Sequence, residues 1–193
     1  MKKIMLMGTL AAALAASQAH ADILPLDTTV VTVTYNGTSN VLGLDTGFDS
    51  VAGSNVSKLD ASDFGAEFIT ADNRFVLDFT SNGLLTVFAN ELTIPTGAYS
   101  LRFDFGATLP AALASFSLLD TSAIGGLPLL SVIDSHTLGL DLSNVTWSSS
   151  DFVSFTSQIG LAEPASVPTP GPLPLLLAGA GAMALVRRRS SGL

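Results

Sequence analysis

Tyr99-Ser100-Leu101-Arg102-Phe103-Asp104-Phe105 alternates without a fault. Leu101, Phe103 and Phe105 fall on one side of an extended chain, and Ser100, Arg102 and Asp104 on the other. Successive strand side chains point to opposite faces, so this heptad is a β-strand with one buried and one wet face. A helix would scatter the same residues around its circumference.

The pattern repeats outward from there. Thr29-Val30-Val31-Thr32-Val33-Thr34-Tyr35 is β-branched and runs into Asn36-Gly37, a hairpin-turn pair. Arg74 to Thr80 is followed by Ser81-Asn82-Gly83 and then Leu84 to Ala89, so 74–89 reads as a hairpin. Further strands are expected at 66–70, 114–119, 129–133, 138–142 and 152–157. Short strands about ten residues apart, separated by Gly, Asn, Asp and Ser, point to an all-β fold. The expected architecture is a single antiparallel sandwich or jelly-roll-like domain. Thr108 to Leu118 leaves a choice, because Pro110-Ala111-Ala112-Leu113 also offers a helix start.

Charge is distributed unevenly over the 193 residues. Lys2, Lys3, Arg187, Arg188 and Arg189 lie at the two ends, and only Lys58, Arg74 and Arg102 lie between them. All 16 acidic residues, from Asp22 to Glu163, lie in that middle. Three cations against sixteen anions give it a formal charge of −13, which repels phosphate backbones, so no nucleic acid is expected as a partner. A cation-rich setting or a neutral polysaccharide suits such a surface better. With no cysteine, disulfides, thiolate metal sites and cysteine nucleophiles are excluded. The core must hold the domain unaided, and eleven Phe with Trp147, Tyr35 and Tyr99 supply it.

The ends read differently from the middle. Residues 1–21 have the form of a signal peptide: Lys2 and Lys3, then apolar Ile4 to Ala16, then Ala19-His20-Ala21. Small Ala19 and Ala21 set signal-peptidase cleavage before Asp22. Residues 22–161 form the β-domain. At 162–172 a proline-rich linker ends in Val167-Pro168-Thr169-Pro170-Gly171-Pro172, where helix and sheet are both broken. Residues 173–193 carry a hydrophobic helix, Leu173 to Val186, and then Arg187-Arg188-Arg189. Fourteen residues span about 21 Å as a helix, against a hydrocarbon core of about 30 Å. The arginine triplet keeps the tail cytoplasmic.

This tail, 167–193, resembles the PEP-CTERM sorting signal of Gram-negative bacteria, in which a Val-Pro-Glu-Pro-like motif precedes a short Leu/Gly/Ala-rich helix and a basic cluster. Thr169 stands where that family usually has Glu, and Ser190 to Leu193 extend past the arginines. The resemblance implies recognition of Val167, Pro168, Thr169, Pro170 and Arg187 to Arg189 by an exosortase, a membrane transpeptidase-like protease. It also implies transient inner-membrane insertion, cleavage near the prolines and release to the cell surface or the extracellular polysaccharide matrix. A plain anchor that is never cut is the alternative.

The middle shows no constellation of catalytic residues, and a non-enzymatic structural or adhesive role is expected. Asp134-Ser135-His136 has the residue types of a triad, but neighbours along a strand point to opposite faces, and a solvated turn histidine is the simpler reading. Paired carboxylates of a glycosidase need a set separation in a cleft, which spacing alone does not give. Asp45, Asp49, Asp60 and Asp63, with Asn55, supply hard oxygen donors suited to Ca²⁺, or else form a hydrated acidic loop. No other cofactor is expected. Trp147 and Tyr99 are candidates for a sugar-stacking platform or for core. Asn36, Asn55 and Asn144 head glycosylation sequons. The alternative function is therefore a lectin-like polysaccharide-binding module, with or without Ca²⁺.

Overall fold

The computed structural model describes residues 26, 28–44, 54–59, 65–149 and 153–162. The signal-peptide residues with Ala19 and Ala21, the acidic quartet Asp45, Asp49, Asp60 and Asp63, and the tail from Val167 onward lie outside them. Thirteen strands appear in the described residues: β1 (Val30–Tyr35), β2 (Val41–Gly43), β3 (Val56–Lys58), β4 (Phe68–Thr70), β5 (Phe75–Phe79), β6 (Leu84–Ala89), β7 (Ser100–Asp104), β8 (Leu113–Asp120), β9 (Ile124–Gly125), β10 (Leu129–Asp134), β11 (Thr137–Asp141), β12 (Thr146–Trp147) and β13 (Ser154–Leu161). They form a five-stranded sheet, β10-β11-β7-β1-β3, a six-stranded sheet, β2-β4-β5-β6-β13-β8, and a small β12-β9 pair. Every pairing is antiparallel. No helix among the described residues is long and apolar enough to cross a membrane.

Alternation explains why these segments are strands. In β7, Leu101 and Phe103 are buried while Ser100 and Arg102 are exposed. In β1, Val31, Val33 and Tyr35 are buried in the same rhythm. These faces meet the inward face of the six-stranded sheet. Phe79 of β5 stands edge-on to Phe103 at 5.5 Å, and Tyr35 reaches Phe75 at 6.1 Å. The fold is thus all-β and sandwich-like, its core lying between the two sheets. Each fully buried Phe or Leu contributes roughly 1.5–3 kcal/mol of transfer free energy. Single backbone bonds tie the sheets at both edges. Gly43 N–H donates to the Ser54 carbonyl at 2.7 Å, and Leu113 N–H donates to the Ser135 carbonyl at 2.8 Å.

The turns follow local chemistry. Asn36 and Gly37 both have positive φ, 50° and 73°, and Tyr35 and Thr38 exchange backbone bonds across them. That is the two-residue turn whose twist suits a hairpin. The expected 74–89 hairpin forms as β5 and β6, with Phe75 opposite Ala89 and Phe79 opposite Leu85. Gly83 closes it at φ +72°, and a Cβ there would lie 2.8 Å from the Ile159 carbonyl oxygen. Gly83→Ala would therefore combine left-handed strain with a backbone clash. We expect a loss of roughly 2–3 kcal/mol, read as a lower urea midpoint. An unchanged midpoint would contradict this geometry.

The helix start offered at Pro110–Leu113 is not used. A single 3-10 turn occupies Gly106–Thr108, and Leu113 already belongs to β8, where it pairs with Leu161.

Candidate functional site

The solvent face of the five-stranded sheet is built by register. Across β7, β11 and β10, Ser100, Asp141 and Leu129 form one row. Thr34, Arg102, Gly139 and Ser131 form the next, across β1, β7, β11 and β10. Thr32 and Asp104 continue into a third, which ends at the buried Thr137. Neighbouring strands stand about 4.8 Å apart, so the four-residue row extends about 14 Å.

Gly139 is closely covered by its neighbours on β10. It places no side chain at the centre of the second row, and a Cβ there would meet Ser131 Oγ at 2.6 Å and Ile133 Cδ1 at 3.2 Å. A groove of about 400 Å³ lies on this face, lined by Thr34, Ser100, Arg102, Ile133 and Asp141 among others. That volume lies within the range of small-ligand sites, about 300–1,000 Å³. One wall is apolar: Leu129 and Ile133, on edge strand β10, are 57% and 49% exposed. The opposite side is polar. Arg102 is exposed and makes no hydrogen bond or ion pair among the described residues. Asp141 Oδ1 accepts from the Ser143 hydroxyl and from Ser143 N–H. These two bonds, the hydroxyl's first, hold the carboxyl below its ordinary range, so it is ionised at neutral pH.

His136 lies beside the groove, where the chain turns from β10 into β11. Its Nδ1 is 3.0 Å from Asp104 Oδ1, 3.4 Å from Asp134 Oδ1 and 3.2 Å from Thr137 Oγ1. Asp134 also accepts the His136 backbone N–H at 2.9 Å, the main reason its pKa falls. Asp134 and His136 are two residues apart, so their side chains fall on the same side of the chain where β10 turns into β11. Ser135 enters through its backbone, as the acceptor for Leu113. All three ionisable side chains in the cluster are more than two-fifths exposed, so the solvated turn histidine is what the structure places here.

Trp147 and Tyr99 do not form an exposed platform. Both rings pack on Phe75, at 5.5 and 5.3 Å, and Tyr99 also stacks on Tyr35 with an interplanar angle of 9°. Two sequon side chains serve the fold: Asn36 Oδ1 accepts Ser100 N–H, and Asn55 Nδ2 donates to the Val33 carbonyl.

A second polar cluster pins the β4–β5 turn. Asp72 receives the Tyr35 hydroxyl at 3.0 Å, the Thr70 hydroxyl at 2.7 Å and the Arg74 guanidinium at 3.0 Å. Arg74 also lies over the Tyr99 ring at 5.5 Å. This cation is therefore occupied within the fold, in contrast to Arg102. Among the described residues, no group of three or more His, Asp or Glu is arranged to hold a metal ion.

Comparison of the chain with protein-family models, with curated proteins and with solved structures returns no match. The groove was not foreseen from the sequence. Its one advance signal was Arg102, a cation on the wet face of the 99–105 strand in an acidic domain.

Proposed function

We propose that this chain is an exported, non-enzymatic surface or matrix protein whose C-terminal tail is cut by an exosortase. Signal peptidase removes residues 1–21. The tail then holds the protein briefly in the inner membrane, and cleavage near Pro168–Pro170 releases a sandwich of jelly-roll type to the cell surface or the exopolysaccharide. There it contributes structure or adhesion. The observation that carries this reading is the order of parts in 167–193: a Pro-Thr-Pro motif, a fourteen-residue apolar segment and three consecutive arginines. That segment is short for a permanent span. The acidic, cysteine-free body is compatible with a matrix of neutral sugars.

Intact mass spectrometry of the protein recovered from the cell surface or medium tests it. The expected species begins at Asp22 and ends near Pro168–Pro172. Deleting 167–193 is expected to abolish surface retention. A chain still carrying Arg187–Leu193 and found only in membranes would overturn the exosortase reading.

A further inference from the structure

We infer that the groove over Gly139 on the five-stranded sheet is a binding site for a neutral polysaccharide chain. This inference rests on the matrix reading and names the ligand class that reading leaves open.

A sugar chain presents hydroxyls that both donate and accept around its edges, and C–H surface on its ring faces. The groove offers a counterpart to each. Arg102 brings a fork of N–H donors that make no hydrogen bond among the described residues, while its charge acts on Asp134. Asp141 is ionised and keeps acceptor capacity beyond the Oδ1 that Ser143 uses. Thr34, Ser100 and Ser131 line the floor with hydroxyls that donate or accept. Leu129 and Ile133 form a wall against which ring C–H groups can bury apolar surface.

Charge selects among sugars. Asp104, Asp134 and Asp141 stand around the groove against the single Arg102, within a body whose formal charge is −13. A polyuronate or sulfated chain would be repelled at low salt, whereas a neutral chain is not. Arg102 then serves as a multidentate donor to vicinal hydroxyls, an interaction that does not require a charged partner.

The test uses the full chain, purified in mild detergent, and measures retention on an insoluble neutral β-glucan and on a polyuronate gel. We expect retention on the neutral glucan, with Arg102→Ala and Ile133→Ser each weakening it about tenfold. Lys58→Ala, on strand β3 at the far side of the sheet, should leave it unchanged. Urea midpoints close to that of the parent would show that the variants are folded. The inference is overturned by absence of retention on the glucan, by stronger retention on the polyuronate gel, or by glucan retention that neither groove variant weakens. The mass-spectrometric result is independent of these outcomes. A correctly processed chain that ignores the glucan removes the groove site and leaves the sorting proposal standing. An uncut chain that binds it does the reverse.

Discussion

Phe75→Ala should remove about 4 kcal/mol of stability, about a quarter or more of the roughly 5–15 kcal/mol a domain ordinarily has. Phe75 is fully buried, and its ring touches three other aromatics: Tyr99 at 5.3 Å, Trp147 at 5.5 Å and Tyr35 at 6.1 Å. These contacts join β5 of one sheet to β1 and β7 of the other through the aromatic layer. Truncation forfeits the transfer free energy of the ring, leaves a cavity that rigid aromatic neighbours do not fill, and breaks edge-to-face contacts worth roughly 0.5–1.5 kcal/mol each. Phe75→Leu keeps most of the volume and should cost well under half as much. Phe88→Ala makes the same chemical change on the outer face of β6, where the ring is only partly buried, and should also cost less. Urea unfolding of the three variants decides the matter. Equal losses for Phe75→Ala and Phe88→Ala would mean that the core is not organised around Phe75.

Much of this was legible because a half-buried strand announces itself at every second residue. Leu101 and Phe103 are inward and Ser100 and Arg102 outward, as the 99–105 alternation requires. Hairpin 74–89 followed from its turn residues. What stayed hidden depends on which strands become neighbours. β2, β3, β9 and β12 are two or three residues long, too short to alternate visibly, and exist because a partner strand lies alongside. The helix start at Pro110 lost to the pairing of Leu113 with Leu161, an instance of tertiary context overriding local propensity. Trp147 and Tyr99 were ambiguous for the same reason: an aromatic ring does not reveal from sequence whether a second sheet will cover it. The groove needed three facts absent from the sequence. Gly139 had to fall opposite Arg102, β10 had to be an edge strand, and Ile133 had to lean toward the glycine. Asp72 is another case. It sits in a four-residue connection between two legible strands, and nothing local marks it as the acceptor for a tyrosine 37 residues away.

Asp72→Ala should cost about 3 kcal/mol at neutral pH, and that cost should shrink as the solution is acidified. Asp72 collects the hydroxyls of Tyr35 and Thr70, both on buried residues, and the substitution leaves both donors without it. Hydrogen bonds to a charged acceptor contribute about 1.5–3 kcal/mol, and stranding a buried donor costs about 1–3 kcal/mol. Asp72→Asn retains a carbonyl acceptor and should lose less. Tyr35→Phe combined with Asp72→Ala removes donor and acceptor together, so the double variant should be more stable than the sum of the single losses predicts, by about 1–2 kcal/mol. The pH dependence follows from the same contacts. Burial pushes the Asp72 carboxyl upward, but bonds from Thr70, Tyr35 and Arg74 outweigh it and hold the pKa below the ordinary value. A depressed carboxylate stabilises the folded state above its unfolded pKa, about 3.9, and that contribution disappears as pH falls through the lower folded value. The gap between parent and Asp72→Ala should therefore be widest near neutrality and narrow below about pH 4. Tyr35 has the opposite sign. Burial first, then the bond and charge of Asp72, raise its phenol well above the ordinary range. Its contribution is complete below about pH 10 and is lost at higher pH, as the unfolded chain ionises and the folded one resists. Urea midpoints of parent, Asp72→Ala and Tyr35→Phe across pH 2.5 to 11 would trace both limbs. A parent-to-Asp72→Ala gap that stays constant through the acid limb would mean that the carboxylate charge contributes nothing, and that the turn is held by Thr70 and the backbone alone.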